Sequence, residues 1–349
     1  MRLRFQYRRY RLPLRVAVRT AHGVWREREG LIVRLEHESG VVGYGEAAPI
    51  PAFGTETVDE AESASRELGE WGDDVRLAAV PARLSCLRNA IAAAQTTGVA
   101  RAASGAVHEF IGVAALLPAG RAALSLVESG AESGFRVFKW KVGVGDVADE
   151  LSLLDDLCAA LPAGARLRLD ANGAWDRRRA ERWLERCAER PIEFVEQPIA
   201  ADARGSADLL LGLAADYPTP LGLDESLGGE GDVERWLGAG WRGIFVIKPS
   251  LLGDVAGALA RLAKARAEVV FSSALETAVG AQAALRVAFA WPGASDPSRP
   301  AEPAQPRALG FGVWPLFVDR RFDGPAAAPF LRARDVERID AEAVWTALT

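Results

Sequence analysis

The sequence predicts an α/β protein: a TIM-type barrel of parallel strands carried behind a smaller α+β unit. Three observations predict it. Residues 1–50 read as antiparallel strands, and the stretch from Thr57 to about Thr97 reads as helix, which is sheet first and helices second. Near Gly105 the rhythm changes, and strand-like runs then alternate with helical ones. Ionisable residues also end successive runs at nearly constant intervals: 26 residues from Asp170 to Glu196, 28 from Glu196 to Asp224 and 24 from Asp224 to Lys248. That interval is one strand plus one helix, the repeat unit of a parallel barrel.

The elements follow in order. Residues 1–8 alternate polar and apolar like a strand, and residues 31–36 and 41–46 are two further strand-like runs. Glu38-Ser39-Gly40 between them suits a hairpin turn. This first unit is expected to span residues 1–104. The barrel runs are 111–117, 135–142, 166–169, 192–195, 221–223, 244–247, 269–272 and 309–312, and the segments 147–161, 177–190 and 253–266 have helical periodicity. These runs place the barrel at 105–314. Residues 292–306, rich in Pro and Ser, read as a long loop. Residues 315–349 leave the barrel and are expected to pack back on the first unit.

Composition narrows the function classes. A chain of 349 residues has room for one large barrel and a smaller domain. A net charge of −5 gives no electrostatic reason to expect nucleic acid, and Arg177-Arg178-Arg179 share a helical stretch with Glu181 and Glu185, as solvated helix surface does. Cys86, Cys158 and Cys187 are odd in number and widely spaced, so small buried hydrophobes are expected rather than a disulfide framework or a zinc site. The N-terminus has no apolar run suited to a signal peptide, and the most apolar stretch, 111–117, ends at Pro118, far short of a membrane span. A cytoplasmic protein acting on a small molecule, without membrane or nucleic-acid partners, is expected. The oligomeric state is left open.

The chemistry sits at the strand ends. In Leu167-Arg168-Leu169-Asp170, Phe194-Val195-Glu196-Gln197-Pro198 and Leu221-Gly222-Leu223-Asp224-Glu225, a strand-like run ends on a carboxylate. One such residue would most simply cap the next helix. Three in succession, at matched spacing on neighbouring strands, converge on one point, and like charges converge only around a cation. Hard oxygen donors in this number suit Mg²⁺, with Mn²⁺ as a substitute. Lys139 and Lys141 are two apart on one strand and share a face, while Trp140 between them points towards the helices. Lys248 ends a later strand and approaches from across the barrel. A metal that holds a substrate carboxylate, with Lys141 or Lys248 removing the proton on the adjacent carbon, forms one coherent reaction class. Ser272 and Ser273, ending the seventh run, either hold a second substrate carboxylate or cap the following helix. Asn172 either orients a metal ligand or forms a turn, and Glu225 stands directly behind Asp224. Gly143-Val144-Gly145 and Gly228-Gly229-Glu230-Gly231 continue into no phosphate-binding fingerprint and read as loops.

As a set, Lys139-x-Lys141, Asp170-x-Asn172, Glu196-x-Pro198, Asp224-Glu225-Ser226 and Lys248-Pro249 resemble the enolase superfamily. The likeness includes Gly43-Tyr44-Gly45-Glu46-Ala47-Ala48-Pro49, similar to that superfamily's capping-domain strand. The resemblance implies a (β/α)7β barrel with an α+β capping domain. Within the superfamily, Ala115-Leu116-Leu117-Pro118-Ala119-Gly120, Phe138-Lys139-Trp140-Lys141-Val142-Gly143 and Phe271-Ser272-Ser273-Ala274-Leu275-Glu276-Thr277 resemble o-succinylbenzoate synthases of the cyanobacterial type. That family is a hydro-lyase group of quinone biosynthesis, menaquinone or phylloquinone, dehydrating 2-succinyl-6-hydroxy-2,4-cyclohexadiene-1-carboxylate by syn elimination. The likeness implies Asp170, Glu196 and Asp224 as metal ligands, Lys141 as base and then acid, Lys248 as charge on the opposite face, and Lys139 near the metal-bound carboxylate. It also implies a mobile lid in the loop 19–25, with Gly23 as hinge and Trp25 as a water-excluding wall, although Trp25 as ordinary domain packing is an alternative. His22 in that loop reads as a loop residue only.

The rival within the same machinery is an N-acylamino acid racemase or dipeptide epimerase, which also needs opposed lysines. Against the epimerase, the eighth run reads Ala308-Leu309-Gly310-Phe311-Gly312-Val313-Trp314, with no carboxylate for a substrate amino group. A non-catalytic scaffold is the rival of another class, and no metal carboxylate or base is missing to favour it.

Overall fold

The computed structural model describes residues 3–20, 23–99, 106–229, 231–293 and 306–348. Period-two alternation in the N-terminal stretch builds the first sheet. β1 (Leu3–Thr20) pairs antiparallel with β2 (Gly23–His37), β2 with β3 (Val42–Ala47), and the short β4 (Trp71–Gly72) flanks β1. Leu3, Phe5, Leu31, Val33 and Leu35 are buried on one face. They form one core with residues of α1 (Val58–Leu68), α2 (Asp74–Ala78) and α3 (Ser85–Val99). A capping box between Thr57 and Glu60 fixes the start of α1.

The expected loop 19–25 is instead the tip of the β1–β2 hairpin. Val18 faces Trp25, Arg19 faces Val24 and Thr20 faces Gly23. After a break between Pro13 and Val18 the ladder resumes, where the β-branched Val18 and Val24 favour extended backbone. His22 lies outside the described residues.

The second sheet is parallel, its strands in chain order. After β5 (Phe110–Gly112) come β6 (Ala115–Leu117), α4 (Ala122–Glu132), β7 (Val137–Lys141), α5 (Val147–Ala160), β8 (Arg166–Asp170), α6 (Arg177–Cys187) and β9 (Ile192–Glu196). Then follow α7 (Ser206–Asp216), β10 (Leu221–Leu223), α8 (Asp232–Gly238), β11 (Ile244–Ile247), α9 (Val255–Lys264), β12 (Glu268–Phe271) and α10 (Ala278–Ala290). Strands β6 to β12 form one seven-stranded sheet. Parallel bridges Val113–Leu309 and Ser272–Gly310 close it. The expected eighth strand is thus reduced to two bridging residues. A Cβ on Gly310 would lie 2.5 Å from Ser272 Oγ, so backbone rather than side chain fills that seam.

The expected run 111–117 divides in two. β6 opens the parallel sheet, whereas β5 pairs antiparallel with β13 (Phe330–Arg332) of the C-terminal segment. That segment continues through α11 (Ala333–Val336) to α12 (Ala341–Ala347), which reaches the first sheet. There the Trp345 ring lies 6.2 Å from that of Tyr44, and the Arg8 guanidinium sits 4.4 Å over it. Most of the expected loop 292–306 lies outside the described residues.

Phe194, Ile244, Val246 and Val270 form a separate small core from three strands of the barrel. Next to it, the buried Arg168 packs 5.0 Å over the Phe194 ring and meets Glu193 at 2.7 Å. Leu167 pairs with Ile192 but Arg168 with Phe194, so Glu193 is the extra residue of a bulge that re-aims its side chain.

Candidate active site

Alternation on β7 sorts its side chains. Phe138 and Trp140 are fully buried, with Trp140 6.2 Å from Trp183 of α6, so Lys139 and Lys141 face the barrel interior. Register then aligns the strand ends: Lys141 pairs with Asp170, and Asp170 with Glu196. Asp224 follows β10 directly, Lys248 follows β11, and Ser272 and Ser273 follow β12. A cavity of about 260 Å³ is lined by Lys139, Lys141, Asp170, Asp224 and Lys248, among others. Asn172, Glu225, Ser272 and Ser273 also line it. Glu196 lies beneath, joined to the cavity through Lys139. The first unit contributes Val18, Trp25, Ile50 and Phe53 to the cavity wall. Trp25 therefore reaches the cavity, while Gly23 remains at the exposed hairpin tip.

Charge is concentrated here. Lys139 Nζ lies 2.7 Å from Glu196 Oε1 and 2.9 Å from Asp170 Oδ2, and Lys248 Nζ is paired with Asp224. Burial works against the Lys139 ammonium, yet Asp170, Glu196 and Asp224 together hold its pKa above the ordinary lysine value. Burial also pushes Glu196 well above the carboxylate range, reinforced by Asp170 and Asp224. Glu225 is raised to about 7 by burial and by the same two aspartates. Lys141 is lowered, chiefly by burial.

These are the marks of a donor set short of positive charge. Glu225 Oε2 and Asn172 Oδ1 are buried without a hydrogen-bond partner, beside carboxylates that repel one another. Oxygen donors clustered in this way fit a hard divalent ion. The carboxylates nonetheless meet lysines rather than each other at their tips: among the described residues, no three His, Cys, Asp or Glu side chains converge tightly enough to hold a metal ion. Asn172 ties the neighbours together. Its Nδ2 donates to Glu225 Oε1 at 3.0 Å and its backbone N–H to Asp170 Oδ1 at 3.2 Å, in a left-handed conformation that Asn tolerates.

Several contributors carry no sequence signal. Gln197, fully buried, accepts the N–H groups of Asp224 and Ser226 on Oε1 and donates through Nε2 to Ile199 O and Ser226 Oγ. It thereby fixes the backbone that presents Asp224. The Ser273 hydroxyl donates to Glu276 Oε2 at 2.9 Å and accepts the Leu275 N–H. Its proton is therefore engaged within the turn, whereas the Ser272 hydroxyl donates to Gly310 O at the longer distance of 3.4 Å. Glu46 of β3 receives Tyr10 OH at 2.6 Å and the N–H groups of Thr277 and Gly280 at the start of α10, joining the first sheet to the barrel. The N–H groups of Gly143, Val144 and Gly145 all donate to Glu150, which accounts for that glycine-rich loop.

Comparison with known proteins places this geometry. Residues 122–326 match the enolase C-terminal domain-like family, and residues 1–86 match the MenC N-terminal domain. The chain is 40% identical over 318 residues to the o-succinylbenzoate synthase of Thermosynechococcus vestitus, covering 89% of this chain and 92% of that one. A crystal structure of o-succinylbenzoate synthase from Thermosynechococcus elongatus, complexed with Mg in the active site, superposes with a TM-score of 0.78. It is 37% identical and covers 99% of both chains. The L-Ala-D/L-Glu epimerase of Bacillus subtilis superposes with a TM-score of 0.80 at 21% identity, covering 94% of this chain and 95% of that one, a likeness of fold alone.

Proposed function

The chain belongs to the o-succinylbenzoate synthase family of the enolase superfamily, and we propose how its residues divide that family's work. The reaction is the Mg²⁺-dependent dehydration of 2-succinyl-6-hydroxy-2,4-cyclohexadiene-1-carboxylate to o-succinylbenzoate, a carbon–oxygen lyase step of menaquinone or phylloquinone synthesis. Asp170, Glu196 and Asp224 would hold the ion. When bound, it supplies positive charge to the ring carboxylate of the substrate.

Lys141, its pKa lowered by burial, takes the proton from the ring carbon that bears the carboxylate. The electron pair left behind delocalises into that carboxylate. The Lys141 ammonium then returns the proton to the departing hydroxyl on the same face, water leaves, and the ring becomes aromatic. Lys248, across the cavity, opposes the negative charge with its ammonium. Lys139 holds Asp170 and Glu196 in register beneath. Asn172 and Glu225 keep the ligand strands in place, and Trp25 and Ile50 exclude water. Ser272 offers its hydroxyl to the succinyl carboxylate.

The observation that carries this reading is the pair of lysines, Lys141 and Lys248, lining one small cavity with three carboxylates, in a chain 40% identical to a synthase. Opposed lysines would also serve a racemase. The closing segment Leu309–Gly312 offers no carboxylate to the ammonium of a dipeptide, which argues against an epimerase, whereas an N-acylamino acid carries no such ammonium. The same reading divides the chain into a capping unit, 1–104 with 315–349 returning to it, and a barrel, 105–314. It places the enzyme in the cytoplasm, on a small carboxylate rather than nucleic acid or membrane. Among the described residues no helix is long and apolar enough to cross a membrane.

The test is ultraviolet-monitored conversion of the cyclohexadiene with and without Mg²⁺. Turnover that requires the ion and vanishes in Lys141→Ala is expected. A wild type that binds Mg²⁺ but leaves this substrate untouched would end the assignment, and N-succinylamino acids would be assayed next.

A further inference from the structure

The loop 50–56 of the first unit is built to present one side chain. The Ile50 N–H donates to Thr55 Oγ1 at 2.8 Å, and the Phe53 N–H donates to Ile50 O at 2.8 Å, closing a short turn over Pro51–Phe53. At its far end the buried Glu56 accepts the N–H groups of Cys86 and Leu87 at the start of α3. A loop tied at both ends has few conformations to lose.

Its tip enters the barrel mouth. The Phe53 ring centroid lies 4.4 Å from Lys248 Nζ, so the ammonium meets both the Asp224 carboxylate and an aromatic ring. The Phe53 carbonyl is seated on Gly228, where a Cβ would lie 1.5 Å from that oxygen. Any other residue at position 228 would push the loop out. Gly228 follows Asp224 by four residues, so one short segment carries both the partner of Lys248 and the seat of Phe53.

We propose that Phe53 is a positioning residue for the reaction: its ring face holds the Lys248 ammonium over the cavity, and the absent side chain of Gly228 admits the loop that delivers it. The proposal deepens the role assigned to Lys248 above and rests on that reading for its catalytic consequence. The ring is more than an apolar wall. An ammonium over an aromatic face is attracted by the ring quadrupole, and the attraction strengthens where water is excluded. It would keep the Lys248 ammonium aimed at the cavity when Asp224 serves a divalent ion. Docking of the first unit then completes the barrel's charge arrangement as well as roofing the cavity.

Ring fluorination at position 53, by incorporation of 4-fluoro-, 3,5-difluoro- and pentafluorophenylalanine, weakens the quadrupole while nearly preserving shape. Turnover of the cyclohexadiene is expected to fall stepwise across the series, to about a tenth for the pentafluoro form, with KM little changed. In a Lys248→Met background the residual rate should no longer respond to fluorine. Independently of any substrate, the ε-methylene resonance of Lys248 should be shifted upfield by the ring current in the wild type. That shift should be lost in Phe53→Leu and in Gly228→Ala.

Normal turnover that ignores fluorination would overturn the proposal and leave the synthase reading intact. Absence of the ring-current shift in the wild type would overturn it outright. A wild type that shows the shift but does not turn over the cyclohexadiene would overturn the synthase reading while upholding the contact.

Discussion

Glu193 and Glu196 lie three residues apart on β9, and their carboxyl groups are treated in opposite ways. At the N-terminal end of the barrel, burial would raise Glu193, but Arg168 and Arg307 hold it below its ordinary value. Arg168 also donates to Ala308 O, and Arg307 also meets Glu268 at 2.9 Å. At the C-terminal end, burial and the neighbouring aspartates push Glu196 well up, although Lys139 lies 2.7 Å away. One end is a closed charge network that joins strands. The other is left short of positive charge, and it is the end at which a cation and an anionic substrate are proposed to bind. Structural and functional charge clusters in one barrel thus differ in whether the protein supplies all the partners.

Mutations should separate the two ends. The largest effect is expected from Lys141→Ala, which should lower kcat by roughly 10²- to 10⁴-fold with little change in melting temperature. Steady-state kinetics beside a thermal melt checks both halves. At the opposite end, Arg168→Ala leaves Glu193 buried with one partner fewer and should destabilise the fold by about 3 kcal/mol. Here kcat of the folded enzyme should stay near wild type, and denaturant titration reads the loss. An equal fall in kcat would erase the contrast.

Mg²⁺ sharpens the comparison. Saturating ion, at about 100 times its dissociation constant, should raise stability by about 2.7 kcal/mol. Asp224→Asn should largely abolish that rise, whereas Arg168→Ala should retain it. Calorimetric melts with and without the ion measure this.

The most gradual effect, spread over more than two pH units, concerns Glu276, fully buried between the two units and raised to about 7, chiefly by burial. Its unfolded value is near 4.5. Between those values the folded state holds more protons than the unfolded state, so stability falls as pH rises from about 4.5 to about 7. The slope from this group is at most about 1.4 kcal/mol per pH unit. Glu276→Gln should flatten it in melts across that range.

The placement of the candidate site was largely legible because β7, β8, β9, β10 and β11 each lead into an ionisable residue at the same end of the barrel. The spacing of Asp170, Glu196, Asp224 and Lys248 therefore survives translation into structure. What stayed hidden depended on contacts between distant segments. Gln197 follows Glu196 as an ordinary polar residue, and only folding aligns its amide with the backbone of Asp224. Phe53 sits in a Pro-rich turn with no periodicity to mark it, 195 residues from the lysine it covers. For Ser273 the sequence leaves substrate binding and helix capping open, and only the fold shows its hydroxyl donating to Glu276. Within the loop expected at 19–25, residues 19–20 pair with 23–24 because hydrogen bonding between strands prevails over the freedom of the expected hinge Gly23.

By itself, the sequence determined what local periodicity and strand-end chemistry can encode. That comprises an α+β unit before a parallel barrel, lysines on one face of a strand, and carboxylates at matched strand ends. Only the tertiary structure decided how the charges are shared. It decided which carboxylate meets Lys139, which ring covers Lys248, and that a bulge brings Glu193 onto Arg168 at the far end of the barrel. The reason is physical: a side chain's face is set by its neighbours in sequence, but its pKa and its partner are set by whatever the fold brings within a few ångströms.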